Sequence, residues 1–258
     1  MNVLRKAVTG CALAGAGLLL AAVPAGSALA STTVGQTGPP VTDSGWLGGA
    51  ELVETSAAMP SAGLVTSLNT QAGSCPQFTG TYNLQVLRPL GGGQYQVLGD
   101  TGHHTDPCDG QLHSYPVSIP VQAGDVIGAY VVSEWQGLLS FTGGTTNVNF
   151  VPEPAVGDTI TFNSSGPEIM DESATLESAS DTAATLVSDT KGLPPGTSLT
   201  DKATAIQTAV AAGNAPTACA GITNFRGLVK AQTGKKLTTA QAGLLTTDAD
   251  NLATALGC

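Results

Sequence analysis

The sequence predicts a two-domain β + α chain: an antiparallel β-sandwich, jelly-roll-like, followed by a small disulfide-tied helical bundle. Three observations predict it. Between Leu47 and Phe162 the apolar residues come in short runs of period two, broken by Gly, Pro, Asn and Asp. At Met170 the spacing changes to three or four, the period of amphipathic helices. The cysteines beyond residue 30 divide evenly, two on each side of that change. The boundaries that follow are 1–30 for a signal peptide, 31–44 for a flexible leader, 45–166 for the sandwich and 168–258 for the helices.

The first segment reads as an export signal. Arg5 and Lys6 precede the apolar run from Ala7 to Val23, and Ala28-Leu29-Ala30 supplies the small-residue site, so cleavage is expected between Ala30 and Ser31. A permanent anchor is the competing reading. Thr9, Gly10, Gly15 and Gly17 interrupt the run, which falls short of the roughly 20 apolar residues a span needs. Val8-Thr9-Gly10-Cys11 resembles a lipoprotein cleavage box, but most of the apolar region follows Cys11 instead of preceding it. The expectation is therefore a secreted protein, free or associated with the cell envelope, with no stable membrane insertion after cleavage. Ser31 to Ser44, rich in Gly, Pro and Thr, reads as the leader.

Cleavage removes two of the nine basic residues and none of the nineteen acidic ones, leaving a net charge of −12. Such a chain repels polyanions, which argues against nucleic acid as a partner. The charge is uneven. From Ser31 to Ser165 Arg88 stands alone against ten acidic residues, whereas Lys202, Arg226, Lys230, Lys235 and Lys236 outnumber Asp201, Asp248 and Asp250 after Gly196.

Nine strands are expected in order: Leu47–Val53, Gly63–Leu68, Tyr82–Leu87, Tyr95–Leu98, Tyr115–Val121, Val126–Val132, Leu138–Phe141, Asn147–Val151 and Thr159–Phe162. Gly91-Gly92-Gly93 turns the third into the fourth. No helix start or basic residue follows the glycines, so a phosphate loop is not indicated. Ala123-Gly124-Asp125 marks a tight turn between the sixth strand and its predecessor, which carry the strongest patterning in the chain.

Potential chemistry is densest from Asp100 to His113. His103, His104 and His113, with Asp106 and Asp109, are candidate metal ligands, although adjacent histidines on a strand face opposite sides. Calcium on Asp100, Asp106, Asp109 or Asp125 is the alternative, and no other cofactor is expected. Trp46 and Trp135 could stack on a sugar ring, with Glu134 and Gln136 bonding its hydroxyls. Glu51, Glu54 and Glu134 are the carboxylates a glycosidase would draw on. Neither a nucleophile elbow nor a His-Glu-x-x-His helix is present. Without a Cys-x-x-Cys pair, the cysteines read as bridges; Cys75 with Cys108 and Cys219 with Cys258 is the pairing that keeps each within one unit.

Four helices are expected. Leu176, Ala179, Ala183 and Val187 line the first; Leu199, Ala203, Ile206 and Val210 the second, capped at Ser198. Ala218, Ile222, Phe225 and Val229 line the third, and Leu245, Ala249, Leu252 and Leu256 the fourth, capped by Thr238 with Gln241. The order Leu193-Pro194, Ser198-Leu199, Gly213-Asn214, Cys219, Phe225, Val229, Gly234-Lys235-Lys236-Leu237-Thr238, Gln241-Ala242 and Leu256-Gly257-Cys258 resembles the FIMAH-type helical domain of secreted, often actinobacterial, proteins. That resemblance implies an accessory helical module behind an all-β one, with no catalytic residues to carry over. The expected function is a non-catalytic extracellular binding or adhesion protein for a glycan or a protein ligand. A secreted hydrolase and a purely structural envelope component are the alternatives.

Overall fold

The computed structural model describes residues 31–38, 45–46, 48–71, 80–107, 109–133, 135–136, 139–140, 143–167 and 169–258. The export signal with Ala30, the Cys75–Cys108 pairing and Glu134 lie outside the described residues. In chain order the strands are β1 (Ser31–Gly35), β2 (Gly45–Trp46), β3 (Ala50–Ala58), β4 (Gly63–Thr70), β5 (Thr81–Gly91), β6 (Gln94–Asp100), β7 (His104–Thr105) and β8 (His113–Val121). They continue as β9 (Val126–Val131), β10 (Trp135–Gln136), β11 (Leu139–Ser140), β12 (Thr146–Phe150), β13 (Thr159–Thr161), β14 (Ser164–Gly166), β15 (Ile169–Met170) and β16 (Glu172–Ser178). The helices α1 (Ala179–Thr190), α2 (Ser198–Ala211), α3 (Ala215–Gln232) and α4 (Thr239–Leu256) close the chain.

Two antiparallel sheets form a sandwich-like body. One has the order β1-β16-β4-β8; the other runs β13-β6-β5-β9-β3-β12-β14, with β7 added to β5. The alternating side chains meet between them. Val34, Val65, Leu68, Ile119, Ala174 and Leu176 come from the smaller sheet, and Leu52, Leu84, Val86, Ile127, Ala129 and Val131 from the larger. Each large side chain contributes about 1.5–3 kcal/mol by leaving water, so the period-two pattern decides which face of a strand turns inward. The other face of the larger sheet is also covered. Val53, Leu87, Val97 and Val126, one residue out of phase with the core set, pack under Ile160 and Phe162.

All nine runs read as strands coincide with strands, β3 to β6, β8, β9 and β11 to β13. The triple glycine makes the β5–β6 hairpin with φ values of 87°, 61° and 76°, a backbone only glycine adopts freely three times in succession. Gly124 does not close a hairpin. β8 and β9 belong to different sheets, so the Ala123–Asp125 turn carries the chain across the sandwich, and Asp125 braces it by accepting from the Gln122 N–H (2.7 Å).

Two segments differ from the sequence reading. Ser31 to Gly35, expected in the leader, is an edge strand paired with β16 from Ser31 opposite Glu177 to Gly35 opposite Ser173. Only Val34 of it is buried, so no apolar alternation announces it. Gly35 must be glycine there: its φ is 85°, and a Cβ would stand 2.4 Å from the Glu172 carbonyl oxygen.

The second difference is β16. Leu176 was expected on the first helix, because its spacing to Ala179, Ala183 and Val187 is helical. It lies instead in the sandwich core, and the helix begins at Ala179, where the Ser178 hydroxyl accepts from the Asp181 N–H (3.1 Å). β16 runs between β1 and β4 and satisfies the backbone groups of both, which a helix at this position would leave unpaired. The boundary expected between residues 166 and 168 therefore has strands on both sides, β14 before it and β15 and β16 after it.

The helices follow the expected faces closely. Leu199, Ala203 and Ile206, then Ala218, Ile222, Phe225 and Val229, then Leu245, Ala249 and Leu252 are buried. Thr238 and Gln241 form a reciprocal capping box at α4, whereas α2 starts one residue earlier than expected, with Thr197 at the cap position. Cys219 is bonded to Cys258, joining the start of α3 to the end of the chain. Leu64 of β4 enters the helical core, so the helices pack directly on the smaller sheet. Among the described residues no helix is long and apolar enough to cross a membrane.

Candidate functional site

The strand registers give the sandwich two distinct ends. Ser178 lies opposite Gly63, and Gly63 opposite Val121, so the helices leave from the end where β4 starts and β8 finishes. The far end gathers the three histidines and the two tryptophans that the sequence marked for chemistry. There Tyr82 lies opposite both His104 and Val131, His113 opposite Thr70, and Trp46 opposite Trp135 in a two-residue ribbon just beyond β3 and β9.

The three histidines reach this end but do not converge. His103, about half exposed, places Nε2 2.8 Å from both carboxylate oxygens of Glu153. His104 lies flat on Tyr115, with ring centroids 3.7 Å apart, and its Nε2 donates to the Thr101 carbonyl at 3.1 Å. That bond fixes the tautomer, because a carbonyl can only accept. The Tyr115 hydroxyl in turn meets the Tyr82 hydroxyl at 2.7 Å, and burial pushes the Tyr82 phenol well above its ordinary pKa. His113 pairs with Asp109 at 2.9 Å, and this contact, with the Gln111 N–H, holds the Asp109 carboxyl below the usual range.

Asp106 is buried behind the histidine loop, Asp100 accepts from the Gly102 N–H, and Asp125 sits at the helical end on Arg88. Among the described residues no three His, Cys, Asp or Glu side chains come together as a metal-holding group. The two strand carboxylates considered for glycoside hydrolysis face opposite ways. Glu54 shares the inward phase of Leu52 and accepts from the Ser56 N–H, the Thr146 hydroxyl and the Met170 N–H. Glu51 shares the outward phase of Val53 and has no hydrogen-bond partner among the described residues. Carboxylates on opposite faces of one strand cannot flank a single glycosidic bond.

Sequence reasoning missed the residue that ties this end together. Glu153 accepts from Asn83 Nδ2 (3.2 Å) while it holds His103, and its charge, after burial, raises the pKa of Glu51 beneath it. It also borders a polar cleft of about 430 Å³ on the outer face of the larger sheet, with Asn149, Asp158, Thr161 and Asn163 among its walls. Asn149 Nδ2 donates to the Thr161 carbonyl across it (2.6 Å). The Val151 N–H bonds the Gly49 carbonyl, three residues beyond Trp46, so the cleft wall and the tryptophan ribbon share a support. The available signal was Pro152-Glu153-Pro154, a carboxylate held between two residues of fixed φ.

No family model matches this chain. Nor does any curated protein match it at a significant level. The cleft presents amide and carboxylate groups in a shallow, partly apolar recess.

Proposed function

We propose that this protein is a secreted, non-catalytic binding or adhesion module whose outer cleft and tryptophan-bearing end take a glycan. The carrying observation is the cleft itself. Asn149, Glu153 and Asp158 border it, and its Asn149–Glu153 side lies toward the end where Trp46 pairs with Trp135. Amide and carboxylate groups answer sugar hydroxyls, and indole faces suit pyranose rings. In this reading the sheets form a jelly-roll-like binding domain, and the FIMAH-like helices are an accessory second domain.

A glycan array probed with residues 31–258 tests it. Binding to a defined glycan class is expected, with Glu153→Gln weakening it by about tenfold or more, the loss that follows when a charged hydrogen-bonding group is removed. An array with no signal, or one indifferent to Glu153→Gln and to Asn149→Ala, would falsify the glycan reading. Export carries its own expected outcome. N-terminal sequencing of protein recovered outside the cell should start at Ser31, the first residue of β1, and an intact Met1 or a lipidated Cys11 would overturn it.

A further inference from the structure

A second cavity lies at the other end, where the helices meet the sandwich. It has a volume of about 600 Å³, within the range of small-molecule sites. Leu98 and Val121 from the strands and Val210, Ala255 and Leu256 from the helices make it mainly apolar. Among the described residues its one cationic group is Arg88, which in the sequence is also the only Lys or Arg between residues 31 and 190.

The guanidinium is held in place with donors to spare. Arg88 Nε donates to Asp125 Oδ1 at 2.9 Å and Nη2 to Oδ2 at 2.7 Å, and the Asp125 side chain is only 2% exposed. Asp125 therefore occupies the edge formed by Nε and Nη2. The opposite edge, formed by Nη1 and the second Nη2 hydrogen, is the one a carboxylate grips with two parallel bonds. The first residues of α1 and of α3 also line the cavity, and helix N-termini favour negative charge. In a chain as acidic as this one, an apolar recess with a pre-positioned arginine selects a particular ligand chemistry.

We propose that this groove binds a free single-chain apolar carboxylate, its head on the open edge of Arg88 and its tail along Leu98, Val121 and Leu256. The site is separate from the proposed glycan cleft and stands or falls independently of it.

Decanoate below its micelle concentration is the probe, titrated calorimetrically into residues 31–258 beside decanol and decyltrimethylammonium, which carry the same tail on neutral and cationic heads. Saturable binding of decanoate is expected, about tenfold or more tighter than decanol. Arg88→Gln should bring decanoate to the level of decanol. Val210→Trp, which fills the groove and leaves the Arg88–Asp125 pair untouched, should remove binding of both, with circular dichroism confirming the fold. Equal affinity for the three heads, no saturation by decanoate, or unchanged binding in a folded Val210→Trp chain would each overturn the site. The comparison of head groups on the unmutated chain decides the matter even where a variant fails to fold.

Discussion

Cys258→Ser is expected to lower stability by about 2–5 kcal/mol, as removal of a native bridge from a small exported unit commonly does. The bridge spans 39 residues, and loop-closure entropy for that length gives about 4 kcal/mol. Its contribution acts through the unfolded chain and not through burial, because Cys258 is exposed and Cys219 only half-buried. The helical core it closes has few large side chains. Ala183, Ala203, Ala242, Ala249, Ala253 and Ala255 occupy buried positions where a larger residue would bury more surface. Since Leu64 joins that core, loosening α4 also uncovers part of the smaller sheet, while the cleft proposed to take a glycan, which no helix residue lines, should keep its affinity. Thermal unfolding under oxidising conditions measures the loss. A midpoint within a degree of the unmutated chain would mean that packing alone holds the last helix.

Glu172→Gln is expected to stabilise the protein at pH 8 by about 1–3 kcal/mol, because it removes a buried carboxyl whose raised pKa costs stability above its unfolded value, at roughly 1.4 kcal/mol per pKa unit. Glu172 is fully buried in β16 without a hydrogen-bond partner among the described residues, and burial, with the negative charges of Glu51 and Glu54, pushes its carboxyl well above the ordinary range. Asp171 beside it is pushed up to about 7 by burial, and so is Asp248, where burial and the neighbouring Asp189 act together. A carboxyl with a raised folded pKa binds its proton more tightly folded than unfolded. It therefore contributes stability that is complete below the unfolded value near 4 and is lost as pH rises through the folded value. The midpoint of unfolding should accordingly fall between about pH 5 and pH 8, and Glu172→Gln should flatten that fall while changing little near pH 4. If the substitution instead lowered the midpoint at pH 8, Glu172 would be an ionised, stabilising group.

Much of this fold was legible in the sequence, and the reason is periodicity. Tyr82, Leu84 and Val86 alternate with polar residues and form a core strand; Ala218, Ile222, Phe225 and Val229 recur at helical spacing and form the buried face of a helix. The same holds for the glycine hairpin at 91–93, the capping box at Thr238 and the bridge from Cys219 to Cys258, all of which are local patterns or a short choice among partners.

What only the tertiary structure decided depends on partners far away in the chain. Ser31 to Gly35 and Glu172 to Ser178 lack a strong apolar signature, and each becomes a strand because a waiting edge, β16 for one and β4 for the other, supplies its backbone hydrogen bonds. The candidate site was out of reach for the same reason. His103 meets Glu153 across 50 residues, and Arg88 meets Asp125 across 37. The sequence alone determined nine of the strands, the bodies of the four helices and that one bridge ties the last helix, because those follow from spacing along the chain. The pairing of His103 with Glu153 and the opening beside Arg88 were left to the packing, because each depends on how strands distant in sequence are set side by side.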